Sequence, residues 1–143
     1  MKDTLFTHSI GKVKLECWLE PDLDPDTSWI GEFSNTPGEA AIEHIGDSRE
    51  FKYFNPANPE YAQQDYEHML RLVRGDIAFY GILASISIAH ADWYKGKEIG
   101  RAAVWGYELD APPDAQFMSE ARNIASLALT DARDFLRSLA NSQ

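Results

Sequence analysis

Three aspartates stand at alternate positions in EPDLDPDTSW, residues 20–29: Asp22, Asp24 and Asp26, with Pro21 and Pro25 stiffening the run. Carboxylates so spaced are candidates for a cation site, for imitation of a phosphate backbone, or for a solvated turn. Proline biases the residue before it toward extended geometry, which sets Glu20 and Asp24 away from helix. Alternate side chains of an extended run share a face at about 6.7 Å, leaving the outer two carboxylates about 13 Å apart. One calcium ion, with oxygens at about 2.3 to 2.6 Å, does not bridge that span unless the chain curls. A calcium loop of the EF-hand type curls through glycine at its sixth position and closes with glutamate at its twelfth. Counted from Asp22, those positions hold Thr27 and Phe33. The motif fails at both, and no metal ligand is assigned. As a plain acidic loop the run is tolerable, because neighbouring charges about 7 Å apart in water repel by only about 0.6 kcal/mol.

Catalytic spacing is weaker still. His8, His44, His68 and His90 are scattered, none in an HxxxH pair, and the chain contains no GxSxG, Walker loop or GxGxxG. Glu108 and Asp110 flank a strand end and could pair with a further acid, as hydrolases require two carboxylates at a controlled separation. Nothing in the sequence selects them over the other acids. No catalytic residue, cofactor or metal is therefore assigned, and a small enzyme with a carboxylate or histidine centre stays as the alternative.

The charge is more informative. The chain has a formal net charge of −10, with 44% hydrophobic and 25% charged residues, ordinary for a globular protein apart from that imbalance. Thirteen acids against Arg49 and Lys52 fall between Leu15 and Glu67, a net −11, while the remainder carries ten acids and eleven bases. Direct binding of nucleic acid is disfavoured by that sign; a basic patch of Lys95, Lys97 and Arg101 is too small to invert it. Duplex DNA carries a charge per about 1.7 Å of axis, so imitation of it would need the other acids of the segment on the same surface as the three aspartates. Trp18, Trp29, Phe33, Tyr53 and Phe54 are interleaved with the acids, and large aromatics beside charge are typical of protein interfaces.

The elements that must position these residues follow from periodicity. KVKLECWLE, residues 12–20, alternates with Val13, Leu15, Cys17 and Leu19 on one face and Lys12, Lys14, Glu16, Trp18 and Glu20 on a wet one, which predicts a strand. Cys17, the only cysteine, reads as a buried structural thiol. Residues 21–50 carry three prolines and three glycines and read as a long irregular excursion, with a short helical turn at GEAAIEHI. Asn58 and Pro59 open a helix that runs through Ala62, Tyr66, Met69 and Val73 and stops at Gly75, leaving His68 on its exposed side. Tyr80, Ile82, Ala84, Ile86 and Ile88 share one strand face; Ile99, Arg101, Ala103, Trp105, Tyr107 and Leu109 share a second, making a hairpin. After Pro112, Pro113 and Asp114 comes a helix with the stripe Phe117, Ala121, Ile124, Ala128, Phe135 and Leu139, ending at Arg133 and Arg137. The expectation is one α+β domain, residues 1–143: a three-stranded, mainly antiparallel sheet packed by two helices. The amino terminus lacks an apolar leader and no apolar run reaches about 18 residues, so a cytoplasmic protein that does not enter membranes is expected.

The runs DPDTSWIGEF, FKYFNP, QQDYEHM and VWGYEL, with the long terminal helix, resemble small acidic proteins encoded by bacteriophages and other mobile elements. The motifs of that group carry no assigned chemistry. The resemblance implies a setting in which such proteins inhibit host defence, as anti-restriction DNA mimics and anti-CRISPR proteins do, and hence a basic, nucleic-acid-handling host protein as partner. Glu20, Asp22, Asp24, Asp26, Trp29 and Glu32 are the expected contact residues, and a homodimer or a self-assembling accessory protein stays open.

Overall fold

A computed structural model describes residues 2–44, 51–90 and 93–141. The elements run β1 (Asp3–Ile10), β2 (Val13–Pro21), β3 (Gly31–Ser34), β4 (Ile42–Glu43), β5 (Tyr53–Pro56), α1 (Ala62–Arg74), β6 (Ala78–His90), β7 (Trp93–Leu109) and α2 (Ala115–Asn141). The chain forms two compact units, Met1–Leu23 with Phe79–Gln143, and Asp24–Ala78.

The first unit is a four-stranded sheet in the order β1-β2-β6-β7, with α2 packed on β7 and β2. Antiparallel register sets Leu15 opposite Ile86, Cys17 opposite Ala84 and Leu19 opposite Ile82. These side chains form one core with Ala121, Ile124, Ala125, Ala128 and Ala132 of α2. Burying each of the large aliphatic ones contributes about 1.5–3 kcal/mol. The small residues of α2 allow a close approach: a Cβ on Gly100 would lie 2.5 Å from the Ala128 carbonyl oxygen and 2.6 Å from the Ala132 Cβ. At the helix entry, an Asp114 carboxylate oxygen accepts from the Phe117 N–H at 2.8 Å, satisfying one of the free amides of the first turn.

The second unit is a three-stranded antiparallel sheet in the order β3-β5-β4, packed by α1. Its core joins Ile30, Phe54, Tyr66 and Met69. The start and end of α1 follow the sequence signals. The Asn58 side chain accepts from the Glu60 N–H, a single 3-10 turn at Pro59–Tyr61 leads in, and Gly75, in the left-handed region at φ +79°, closes the helix with its N–H on the Arg71 and Leu72 carbonyls.

The α+β class with two helices and antiparallel sheets is as expected, but the details depart from it. The described residues form two sheets, of four and three strands, rather than one of three. β1 completes the larger, and the excursion after Pro21, otherwise irregular over its described residues, supplies β3 and β4, which pair with β5 to make the smaller; Gly38 and Ala41 close a turn, the Ala41 N–H on the Gly38 carbonyl, ahead of β4. The two helices serve different sheets, so α1 does not share the sheet that α2 covers. Trp18 sits on the face expected to be wet yet is 7% exposed, under the Lys2 ammonium at 4.2 Å from the ring centroid. Val73 and Leu139, placed on apolar stripes, are exposed. The face of β7 also splits. Arg101 reaches the Trp18 ring and Trp105 lies against Gly81, while Ile99, Tyr107 and Leu109 pack on the core, joined there by Ala102 from outside the expected face. Gly106, at φ +96°, interrupts the alternation between them. Finally, α2 continues to Asn141, so Arg133 and Arg137 lie inside it and not in its last turn. The expectations for Asp47, Arg49, Glu50, Ala91 and Asp92 lie outside the described residues, as do the side chains of His90 and Lys95.

Candidate partner interface

The backbone around the aspartates is ordered by local hydrogen bonds. Asp22 donates its N–H to the Phe79 carbonyl at 2.9 Å, prolonging the β2–β6 pairing in which Glu20 faces Gly81. Glu20 and Asp22 thus belong to the first unit and are half-buried, whereas Asp24, Asp26, Trp29 and Glu32 belong to the second and are exposed.

Within the second unit the chain does curl. One carboxylate oxygen of Asp26 accepts from the Ser28 N–H at 3.0 Å and from the Ser28 hydroxyl at 2.6 Å. The two bonds, side-chain donor first, hold the Asp26 carboxyl below the usual carboxylate range. The Thr27 carbonyl then accepts from the Ile30 and Gly31 N–H groups at 2.9 and 3.2 Å, closing a turn. That turn sends adjacent side chains opposite ways: Ile30 is wholly buried and Trp29 is 57% exposed. Gly31 permits the close fit beneath, since a Cβ there would lie 2.5 Å from the Phe54 ring and from the Asn55 carbonyl oxygen. Asp24, Asp26 and Glu32 come together around a shallow hollow of about 430 Å³, floored by Pro25, Thr27, Ser28 and Gly31.

Trp29 is braced from the side by His68 of α1, their rings meeting edge-on with centroids 5.7 Å apart. His68 is therefore half-buried against an aromatic, where the stripe alone placed it on the exposed side. The sequence reading also missed a second arrangement. His44 Nδ1 lies 2.9 Å from the Tyr66 hydroxyl, and the His44 ring packs 4.7 Å from Phe33, which in turn contacts Phe51 and Phe54. His44 Nε2 is buried with no hydrogen-bond partner among the described residues. Among the described residues the Tyr66 hydroxyl is the hydrogen-bonding group at this imidazole, and with Phe33 and Phe54 the pair forms an aromatic cluster with a polar centre. No spacing rule links residues 44 and 66; the packing of α1 on the β3-β5-β4 sheet brings them together.

The other candidate centre lies in the first unit. Glu108 and Asp110 border a hollow of about 400 Å³ with Tyr107, Asp114, Phe117 and Glu120. Asp114 is engaged as the cap of α2, and the Tyr107 hydroxyl donates to Glu120 at 3.4 Å. Burial, then the Glu120 charge, pushes the Tyr107 phenol up. Among the described residues no group of three His, Cys, Asp or Glu side chains could hold a metal ion, and no helix is long and apolar enough to cross a membrane. Comparison with protein-family models, curated proteins and solved structures finds no match.

Proposed function

We propose that the protein is a non-catalytic binder that uses the acidic turn around Trp29 to engage a basic, nucleic-acid-handling host protein, as a phage-encoded inhibitor of host defence of the DNA-mimic or anti-CRISPR kind would. The observation that carries the reading is the turn itself: an indole held outward at 57% exposure, with Asp24, Asp26 and Glu32 gathered around a hollow of the same 24–32 segment. A fixed aromatic anchor inside a charged rim is the usual composition of an interface hot spot, and carboxylates on that rim select arginine and lysine opposite. The unit that carries it, Asp24–Ala78, holds eleven acids against four bases, so approach of a basic partner is steered by its field. The phage setting rests on the sequence resemblance alone.

The test is affinity capture from host lysate at low salt, with the wild type beside the Asp22→Asn/Asp24→Asn/Asp26→Asn variant, followed by elution with duplex DNA. A basic protein retained by the wild type, lost from the triple variant and displaced by DNA supports the reading. Equal retention by both forms removes the aspartates from the site.

A further inference from the structure

The long helix of the first unit carries a second surface of opposite sign. One stripe of α2, built by Ala121, Ile124, Ala125, Ala128 and Ala132, is consumed by the core. A rotation of about 100° per residue puts a separate stripe beside it, formed by Arg122, Ser126, Leu129, Arg133, Leu136 and Ala140. The intervals are four, three, four, three and four, the alternation that keeps one seam of a helix facing another helix. All six residues are exposed, and Leu129 and Leu136 leave 43% and 46% of their surface open.

Charge is sorted across the helix in the same way. Arg122 and Arg133 are on the seam and Arg137 borders it, while Glu120, Asp131 and Asp134 fall on the other side. Asp131 is already engaged, accepting from the Arg101 N–H at 2.9 Å. Arg122, Arg133 and Arg137 make no ion pair or side-chain hydrogen bond among the described residues. In a chain of net charge −10, three arginines that pair with no described residue therefore line or border one heptad seam that carries leucine at its centre.

We infer that this seam docks an acidic amphipathic helix of a partner protein, with partner leucines meeting Leu129 and Leu136 and partner carboxylates meeting Arg122, Arg133 and Arg137. Charge complementarity selects that occupant. A second copy paired in parallel through the same seam would set arginines against arginines, and an antiparallel one would set Arg122 and Arg133 against Ala140 and Leu129, with no carboxylate on the seam to meet them. A phosphate backbone would satisfy the arginines and leave the leucines uncovered. Arg122 and Arg133 are eleven residues apart, about 16 Å along the axis, so the partner needs carboxylates three turns apart.

The probe is a synthetic helical peptide of about four heptads with leucine at a and d and glutamate at e and g, compared by fluorescence anisotropy with its lysine counterpart, using the full chain. Saturable binding of the glutamate peptide alone is expected, weakened by roughly tenfold in Arg133→Glu/Arg137→Glu and again in Leu129→Ser/Leu136→Ser. Should charge reversal lower the helical circular dichroism, Arg122→Gln/Arg133→Gln provides the same comparison without introducing acids. Failure of the glutamate peptide to bind, equal binding of both peptides, or undiminished binding by the arginine variants overturns the inference. So does a wild-type dimer that the leucine substitutions dissociate, which would give the seam to a second copy.

Discussion

Trp29 meets His68 edge-on, with ring centroids 5.7 Å apart and planes inclined at 68°, so an indole that is 57% exposed is nonetheless fixed in direction. Such bracing removes part of the ordering cost that a mobile side chain would incur on binding. Trp29→Ala should weaken capture of a basic partner by more than tenfold, since buried aromatic anchors typically contribute about 2 kcal/mol or more. The melting temperature should hardly move, because the indole adds little to the core. A binding isotherm and a thermal melt of the same variant separate the two effects; a large drop in stability with unchanged affinity would return Trp29 to a purely structural role.

Gly100 makes the opposite kind of prediction, about stability alone. The atoms an added methyl would meet are the Ala128 carbonyl oxygen at 2.5 Å and the Ala132 backbone N and Cβ at 2.6 Å, none of which is the flexible end of a side chain. Gly100→Ala should therefore push α2 off β7 and lower stability by about 1–3 kcal/mol. Urea unfolding of the variant checks this, and an unchanged midpoint would show that the helix can slide without loss.

Cys17 links the core to pH. It is fully buried, its thiol donates to the Ala121 carbonyl at 3.7 Å, and burial raises its pKa from 9.0 to about 11. The unfolded chain therefore loses this proton first as pH rises. The stability contribution is complete below pH 9 and is lost progressively as pH climbs through about 11, an effect on the order of 2–3 kcal/mol. Cys17→Ala should flatten that alkaline decline, and the wild-type thiol should resist a disulfide reagent at pH 8 until denaturant is added. Rapid labelling of the native protein would contradict the burial.

What the sequence disclosed and what it hid divide by the range of the interactions. The ends of α1 were legible because Asn58, Pro59 and Gly75 act on their immediate neighbours. The core face of β2 and β6 was legible because a period of two survives along both strands. β1 was hidden by a bulge between Thr4 and Phe6, after which Leu5 and Phe6 both pack on the core and alternation fails. The small sheet was hidden because β3, β4 and β5 span only four, two and four residues, too few for a period. Part of what holds it is Asn55, whose side chain accepts from the Gly38 N–H and donates to the Thr36 carbonyl, bonds that leave no trace in a hydropathy pattern. At the candidate interface, the residue types at 24–32 were visible. The turn that parts Trp29 from Ile30 rests on backbone bonds to the Thr27 carbonyl, which no hydropathy pattern reports, and the brace from His68 needed a helix more than thirty residues away.

The Asp22 N–H still reaches the Phe79 carbonyl after β2 has paired Pro21 with Tyr80, so the chain leaves for Asp24–Ala78 and returns at one point of the larger sheet. Without that segment, β1, β2, β6 and β7 would be consecutive neighbours, a simple meander in which every strand pairs with the next. The Trp29-bearing unit is in this sense a cassette spliced into a hairpin. Evolution could lengthen, recharge or exchange it without rethreading a single strand of the scaffold.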